Sequence, residues 1–311
     1  MAMRGLDSPR RAWVRTAVMV ATVGIGLSGC TSPVKLPPGV LRVVGAESQY
    51  ANLLQQIGGR YVRVTSILTN PNADPHSFEA SASVARDIAQ ANLIVQNGLG
   101  YDGFMNVLEA ASSNHTRRVI DVQKTLHVSA QVFNPHLWYD VTTMQRLVRS
   151  INASLDFLSP GHKNYFDHRG TDLELALQRL RQKISNFRDM KRLVIVAPTE
   201  PVADYLIASL GIKIATSNRF MSDVMSGTDP APQDVDAFEY LLTHHRVGAL
   251  IYNEQVVDPV TEELLAFARQ HDVPVVAVYE TEPPSAVSYQ AWMTSTVNAI
   301  LDALISPRTH S

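Results

Sequence analysis

The sequence predicts an α/β protein of two lobes, each a mostly parallel sheet flanked by helices, bridged by one long helix, with the functional cleft between the lobes. Three observations predict it. Strand-length apolar runs alternate with amphipathic, helix-length segments over residues 41–160, the arrangement that builds a parallel sheet. A Pro-free, charge-rich run at 165–190, with Leu173, Leu175, Leu177, Leu180 and Ile184 among its apolar positions, is long enough for one helix of about seven turns. The alternation then restarts and runs to residue 308. At 311 residues, 45% of them hydrophobic, the chain can bury two cores.

Residues 1–29 read as an export signal, because Arg4, Arg10, Arg11 and Arg15 precede an uncharged apolar stretch at 16–27. That stretch is shorter than the roughly 20 residues a membrane-spanning helix needs. Leu27-Ser28-Gly29-Cys30 closes it, and Cys30 is the only cysteine, which excludes an intramolecular disulfide. The segment resembles a bacterial lipoprotein signal, which implies lipidation of Cys30 and a membrane anchor on the extracytoplasmic side. Residues 30–40, with Pro33, Pro37 and Pro38, read as a tether. Without the signal the chain has 23 basic and 28 acidic residues, a net charge of -5 with His neutral. That balance argues against nucleic acid as a partner.

In the N-terminal lobe, 41–160, the alternation predicts strands at 41–46, 61–67, 92–96 and 118–122, and helices at 49–57, 80–90, 104–111 and 141–157. Gly58-Gly59 ends the first helix, and Asn97-Gly98-Leu99-Gly100 ends the third strand. Residues 161–190 form the bridge. In the C-terminal lobe, 191–308, strands are expected at 192–197, 213–216, 247–253 and 273–279. Helices are expected there at 202–210, 233–244, 260–271 and 289–305.

Two Pro-His dipeptides carry the chemistry: Asp74-Pro75-His76-Ser77-Phe78-Glu79 and Asn134-Pro135-His136-Leu137-Trp138. Proline fixes its own φ and biases the preceding residue toward extended geometry, so each imidazole sits on a stiffened turn. They read as parts of one metal site. Pro198-Thr199-Glu200 and Glu280-Thr281-Glu282 place carboxylates at strand ends, where open parallel sheets bind ligands. Two such sheets facing each other give a closed site of two nitrogens and two or more oxygens in the inter-lobe cleft.

These motifs, with Val44-Gly45-Ala46, Ile57-Gly58-Gly59, Tyr252-Asn253-Glu254-Gln255 and Tyr289-Gln290-Ala291-Trp292-Met293, give the chain a specific likeness. It resembles the substrate-binding lipoproteins of bacterial ABC importers for manganese and zinc over nearly all of its mature length. The resemblance implies two lobes on a bridging helix, four metal ligands between them, and delivery of the ion to a permease driven by an ATPase. His76 and His136 match the two N-lobe histidines, and Glu200 falls where members have His or Glu. The fourth ligand is usually Asp; here an ungapped strand selects Glu282, whereas the shorter turn before Pro283 selects Glu280. Glu280 is the expected ligand, its longer side chain compensating for the shorter strand end.

The donors suit Mn2+, Zn2+ or Fe2+, with intrinsic affinity favouring zinc over manganese. Relatives dedicated to zinc often carry a His-rich loop between the first two ligands; here that stretch holds His115 and His127, which points to manganese. Two rival classes remain open from sequence. A metal-dependent hydrolase needs an open coordination position and a general base, and no His-Glu-x-x-His or nucleophile motif is present. A binder of metal chelates needs a wide aromatic or Arg-lined cleft, and aromatic content is 7%. The expectation is therefore a monomeric, non-enzymatic binding protein; a role in adhesion has no residue to support it.

Overall fold

The computed structural model describes residues 37–69, 78–112, 114–132, 134–190, 193–256, 258–283 and 285–305. The expected signal, Cys30 and the His76 turn lie outside them. The first half runs β1 (Leu41–Glu47), α1 (Ser48–Gly58), β2 (Val62–Leu68), α2 (Ala82–Gln90), β3 (Leu93–Gln96), α3 (Gly103–Ala110), β4 (Arg118–Asp121), α4 (Val122–Thr125) and α5 (Val141–Leu158). The long helix α6 (Lys163–Arg188) follows. The second half comprises β5 (Ile195–Pro198), α7 (Asp204–Ser209), β6 (Lys213–Ile214), α8 (Asn218–Met225), α9 (Pro232–Thr243), β7 (Leu250–Asn253), α10 (Pro259–Gln270), β8 (Val275–Val278) and α11 (Tyr289–Ile305).

Each half builds one four-stranded sheet, in the orders β2-β1-β3-β4 and β6-β5-β7-β8. Every pairing is parallel. Parallel strands covered on both faces need continuous apolar runs, and β1 supplies one: Val43, Val44 and Ala46 are all buried. In both sheets the order reverses beside the first strand. The crevice beyond the carboxyl ends of β1 and β3, and of β5 and β7, is where such sheets bind ligands.

Helix α6 buries Phe166, Gly170, Leu173, Leu177, Leu180, Ile184 and Phe187, a stripe at helical spacing. Leu175 falls off the stripe and is exposed. The stripe packs against α1 and α5 from the first half and against α7 and α11 from the second. One apolar core consequently runs from Val43 and Leu53 through Leu177 to Val196, Trp292 and Ile300. A second cluster, around Phe220, Phe238 and Leu264, fills the far side of the second sheet.

The predicted strands and long helices form, with edges shifted by a few residues. Two helices were not expected. Helix α8 buries Phe220, Met221 and Val224 and is capped by the Ser217 hydroxyl accepting from Phe220 N. Eight residues give too few repeats for periodicity to show. Helix α4 is a single turn capped by Asp121. Strand β6 keeps two of its four expected residues, because only Ile195 and Val196 of β5 pair with it. Among the described residues no helix is long and apolar enough to cross a membrane.

Candidate metal centre

His136 enters the cleft on a short 3-10 turn, Leu137–Tyr139, between Pro135 and the N-terminus of α5. The Asp140 carboxylate caps that helix by accepting from Thr142 N at 2.9 Å. The imidazole is buried, at 1% exposure. Asn134 sets its tautomer. The Asn134 Oδ1 accepts from His136 N at 2.9 Å and lies 2.7 Å from His136 Nδ1, while its Nδ2 donates to the Pro201 carbonyl at 2.6 Å. An amide oxygen only accepts, so Nδ1 is the donor and Nε2 is the ring nitrogen left facing the cleft.

That Nε2 faces Glu280 Oε1 at 3.8 Å, too far for a hydrogen bond. Two atoms each about 2.1 Å from a tetrahedral ion stand roughly 3.4 Å apart, so the separation suits a shared cation. Glu280 is reached from both halves: Asn253 Nδ2 donates to Oε1 at 2.8 Å, and the Tyr101 hydroxyl donates to Oε2 at 3.1 Å. Its backbone N donates to Gln255 Oε1 at 2.8 Å. Burial acts to raise the Glu280 carboxyl, but His136, Tyr101 and Asn253 outweigh it and hold the group below its ordinary range.

Glu200 follows β5 and is 3% exposed, with its Oε1 buried and unpartnered among the described residues. Burial first, and then the charge of Glu280, push its carboxyl up to about 8, against a hydrogen bond from Asn253. Asn253 thus spans both carboxylates from the end of β7. Glu282 turns elsewhere. Its Oε1 accepts from Asn52 Nδ2 at 3.1 Å and its N donates to Ser48 Oγ at 3.0 Å, which ties it to α1; burial pushes it up to about 7.

The structure therefore brings His136 to Glu280, sets Glu200 beside them through Asn253, and directs Glu282 away. Among the described residues no three His, Cys, Asp or Glu side chains are gathered closely enough to hold a metal ion. His162 stacks on Tyr61 at 3.7 Å and His244 on Tyr240 at 3.9 Å, neither at the cleft. Asn134, Asn253, Tyr101 and Gln255 escaped the sequence reading as site residues, although Asn134, Asn253 and Gln255 lie inside its motifs.

The family model described as the periplasmic zinc-uptake complex component A matches residues 43–303. The manganese-binding lipoprotein MntA of Bacillus subtilis is 24% identical over 270 residues, covering 84% of this chain and 86% of its own. The periplasmic zinc-binding protein TroA of Treponema pallidum superposes with a TM-score of 0.70 at 20% identity, over 86% of this chain and 100% of that one. The binding protein FpvC of Pseudomonas aeruginosa, solved with Mn2+, gives 0.68 at 20% identity, over 85% and 98%.

Proposed function

The chain belongs to the family of periplasmic zinc-uptake complex component A proteins, and on that premise we propose that it captures a divalent transition metal for an ABC importer. The ion is Mn2+ or Zn2+, with Fe2+ also suited to the donors, and the few histidines before His136 favour manganese. His76, His136, Glu200 and Glu280 are the proposed ligands. The observation that carries the reading is His136 Nε2 held 3.8 Å from Glu280 Oε1, beside a buried Glu200 oxygen that lacks a partner among the described residues.

In this reading Cys30 bears the lipid that holds the protein at the outer face of the membrane, as a monomer. The lobes are 41–160 and 191–308, bridged by 161–190. Capture replaces ion-bound water by imidazole and carboxylate, and a permease with its ATPase receives the ion. Four protein ligands close the coordination sphere, which leaves no position for a hydrolytic water. The family consists of solute-binding proteins, and absence of turnover in this chain is part of the same reading.

Elemental analysis of protein purified without chelator, with titration calorimetry of Mn2+ and Zn2+ into apo protein, tests this. One equivalent of ion per chain is expected. Protein that retains no metal and gives no binding heat with either ion contradicts it.

A further inference from the structure

The two carboxylate oxygens of Glu280 are held by different elements and face different ways. Oε1 accepts from Asn253 Nδ2 at 2.8 Å and is the oxygen that stands 3.8 Å from His136 Nε2. Oε2 accepts from the Tyr101 hydroxyl at 3.1 Å, across the cleft from the first half. The backbone behind them is fixed too, since Gln255 Oε1 accepts from Glu280 N at 2.8 Å and from Thr281 N at 3.0 Å. A carboxylate gripped at both oxygens does not swing freely about its last bond, so the oxygen offered toward His136 stays Oε1.

Tyr101 is itself firmly seated. It is buried, and its ring stands edge-on to those of Trp138 and His136, 5.1 and 5.9 Å between centroids. The turn that carries it is pinned at its backbone amides: the Asp102 carboxylate accepts from Asn97 N at 2.5 Å and from Gly98 N at 2.9 Å, and Gln123 Oε1 from Leu99 N at 2.9 Å. Gly98, Leu99 and Gly100 have φ of 81°, 54° and 80°, a run of left-handed residues that persists only where its surroundings over-determine it. The hydroxyl on such a mount is the fixed partner, and the Glu280 side chain is the one that conforms.

We propose that Tyr101 is a positioning residue that sets ion specificity: by holding Oε2 it keeps Glu280 a ligand through Oε1 alone. The inference rests on the reading of His136 and Glu280 as ligands, and concerns the ratio of two affinities rather than which ion the cell supplies. Zn2+ is satisfied by four donors in a tetrahedron, whereas Mn2+, like Mg2+ and Ca2+, suits six oxygen-rich positions. A second oxygen from Glu280 would raise the coordination number without a further residue. Keeping that oxygen on Tyr101 therefore disfavours Mn2+ more than Zn2+.

The test compares Zn2+ and Mn2+ affinities of wild type and Tyr101→Phe by chelator competition, with visible absorption of bound Co2+ as the reporter of coordination number. Tyr101→Phe removes only the hydroxyl and leaves the ring to pack on Trp138. The ratio of Zn2+ to Mn2+ affinity is expected to fall about tenfold, the scale on which outer partners of metal ligands act. Co2+ should absorb strongly in the wild type, because a tetrahedral field lacks the inversion centre that keeps six-coordinate Co2+ pale. In the variant the band should weaken as the freed oxygen joins the ion.

An unchanged affinity ratio overturns the inference, whether both ions keep their affinity or lose it equally, and so does a variant with the wild-type Co2+ spectrum. Should Tyr101→Phe fail to fold, the wild-type spectrum decides: an intense four-coordinate band supports the inference and a pale six-coordinate one overturns it. A wild type that binds no ion, or a Glu280→Ala that binds as wild type does, removes the capture reading itself. An unchanged Tyr101→Phe beside a weakened Glu280→Ala removes this inference alone.

Discussion

With its carboxyl pushed up to about 8, Glu200 as the proposed ligand would release a proton when a cation binds at neutral pH. Burial and the neighbouring Glu280 place its carboxyl at about 8, and coordination requires the carboxylate. Ion affinity is therefore expected to rise with pH until about 8 and then level. Calorimetry in buffers of different ionisation enthalpy should detect the proton released; binding that liberates none below that pH contradicts the assignment. The same shift acts on folding. Because the folded-state value lies above the ordinary 4.5, the stabilisation is full below about 4.5 and is lost as pH rises through about 8. Apo protein should melt at lower temperature across that window, and Glu200→Gln, unable to ionise, should flatten the slope. Strand-end position singled out Glu200 and Glu280 in the sequence and the Pro-His turn singled out His136, and the structure sets these three side chains near one another. Tyr101 and Asn253 are neutral hydrogen-bonding residues whose role comes from Glu280, 179 and 27 positions away. Single-sequence pattern does not carry that pairing.

The turn after β3 touches both sides of the proposed site, through Asn97 to the Pro135 carbonyl and through Tyr101 to Glu280. At Gly98 an added Cβ would stand 2.7 Å from Gln123 Cβ and 2.8 Å from Asp121 Oδ1, on a backbone with φ of 81°. Gly98→Ala is expected to cost about 1–3 kcal/mol. Gly100 has a similar φ but nothing within 4 Å, so Gly100→Ala should cost only the conformational penalty, roughly 1–2 kcal/mol. Urea unfolding of the two variants measures the difference, and equal losses would show that crowding at Gly98 is relieved by movement of Gln123. The order of elements was readable because each long helix repeats its apolar stripe several times, as α6 does over Phe166 to Phe187. Helix α8 was not, since its burial of Phe220, Met221 and Val224 spans barely two turns. Of Glu280 and Glu282, which both follow β8, the sequence favoured Glu280 on turn length alone; the tertiary contacts that set Glu280 toward His136 and Glu282 toward Asn52 are not readable there.

The two halves are joined by more than the long helix. The Tyr139 hydroxyl donates to Tyr279 O at 2.8 Å and accepts from Tyr279 N at 3.2 Å, directly before Glu280. Tyr289 donates to the Trp138 carbonyl at 2.6 Å, and Gln56 and Gln290 exchange amide hydrogen bonds at 3.0 and 2.8 Å. Each contributes about 0.5–1.5 kcal/mol net, and a core shared through α6 resists separation. A wide hinge closure would break all of them, so ion release is expected to proceed by rearrangement of ligand-bearing loops. Apo and metal-bound scattering profiles should nearly superpose; a compaction on the scale of domain closure would falsify this. An ion is proposed to bind between His136 and the carboxylates that follow β5 and β8. The most direct test of this is Mn2+ titration of apo Glu280→Ala and Glu282→Ala against wild type. One site per chain is expected, with an affinity loss on the order of 100-fold or more for Glu280→Ala and near wild-type binding for Glu282→Ala. Unchanged affinity in Glu280→Ala, or the larger loss in Glu282→Ala, would contradict it.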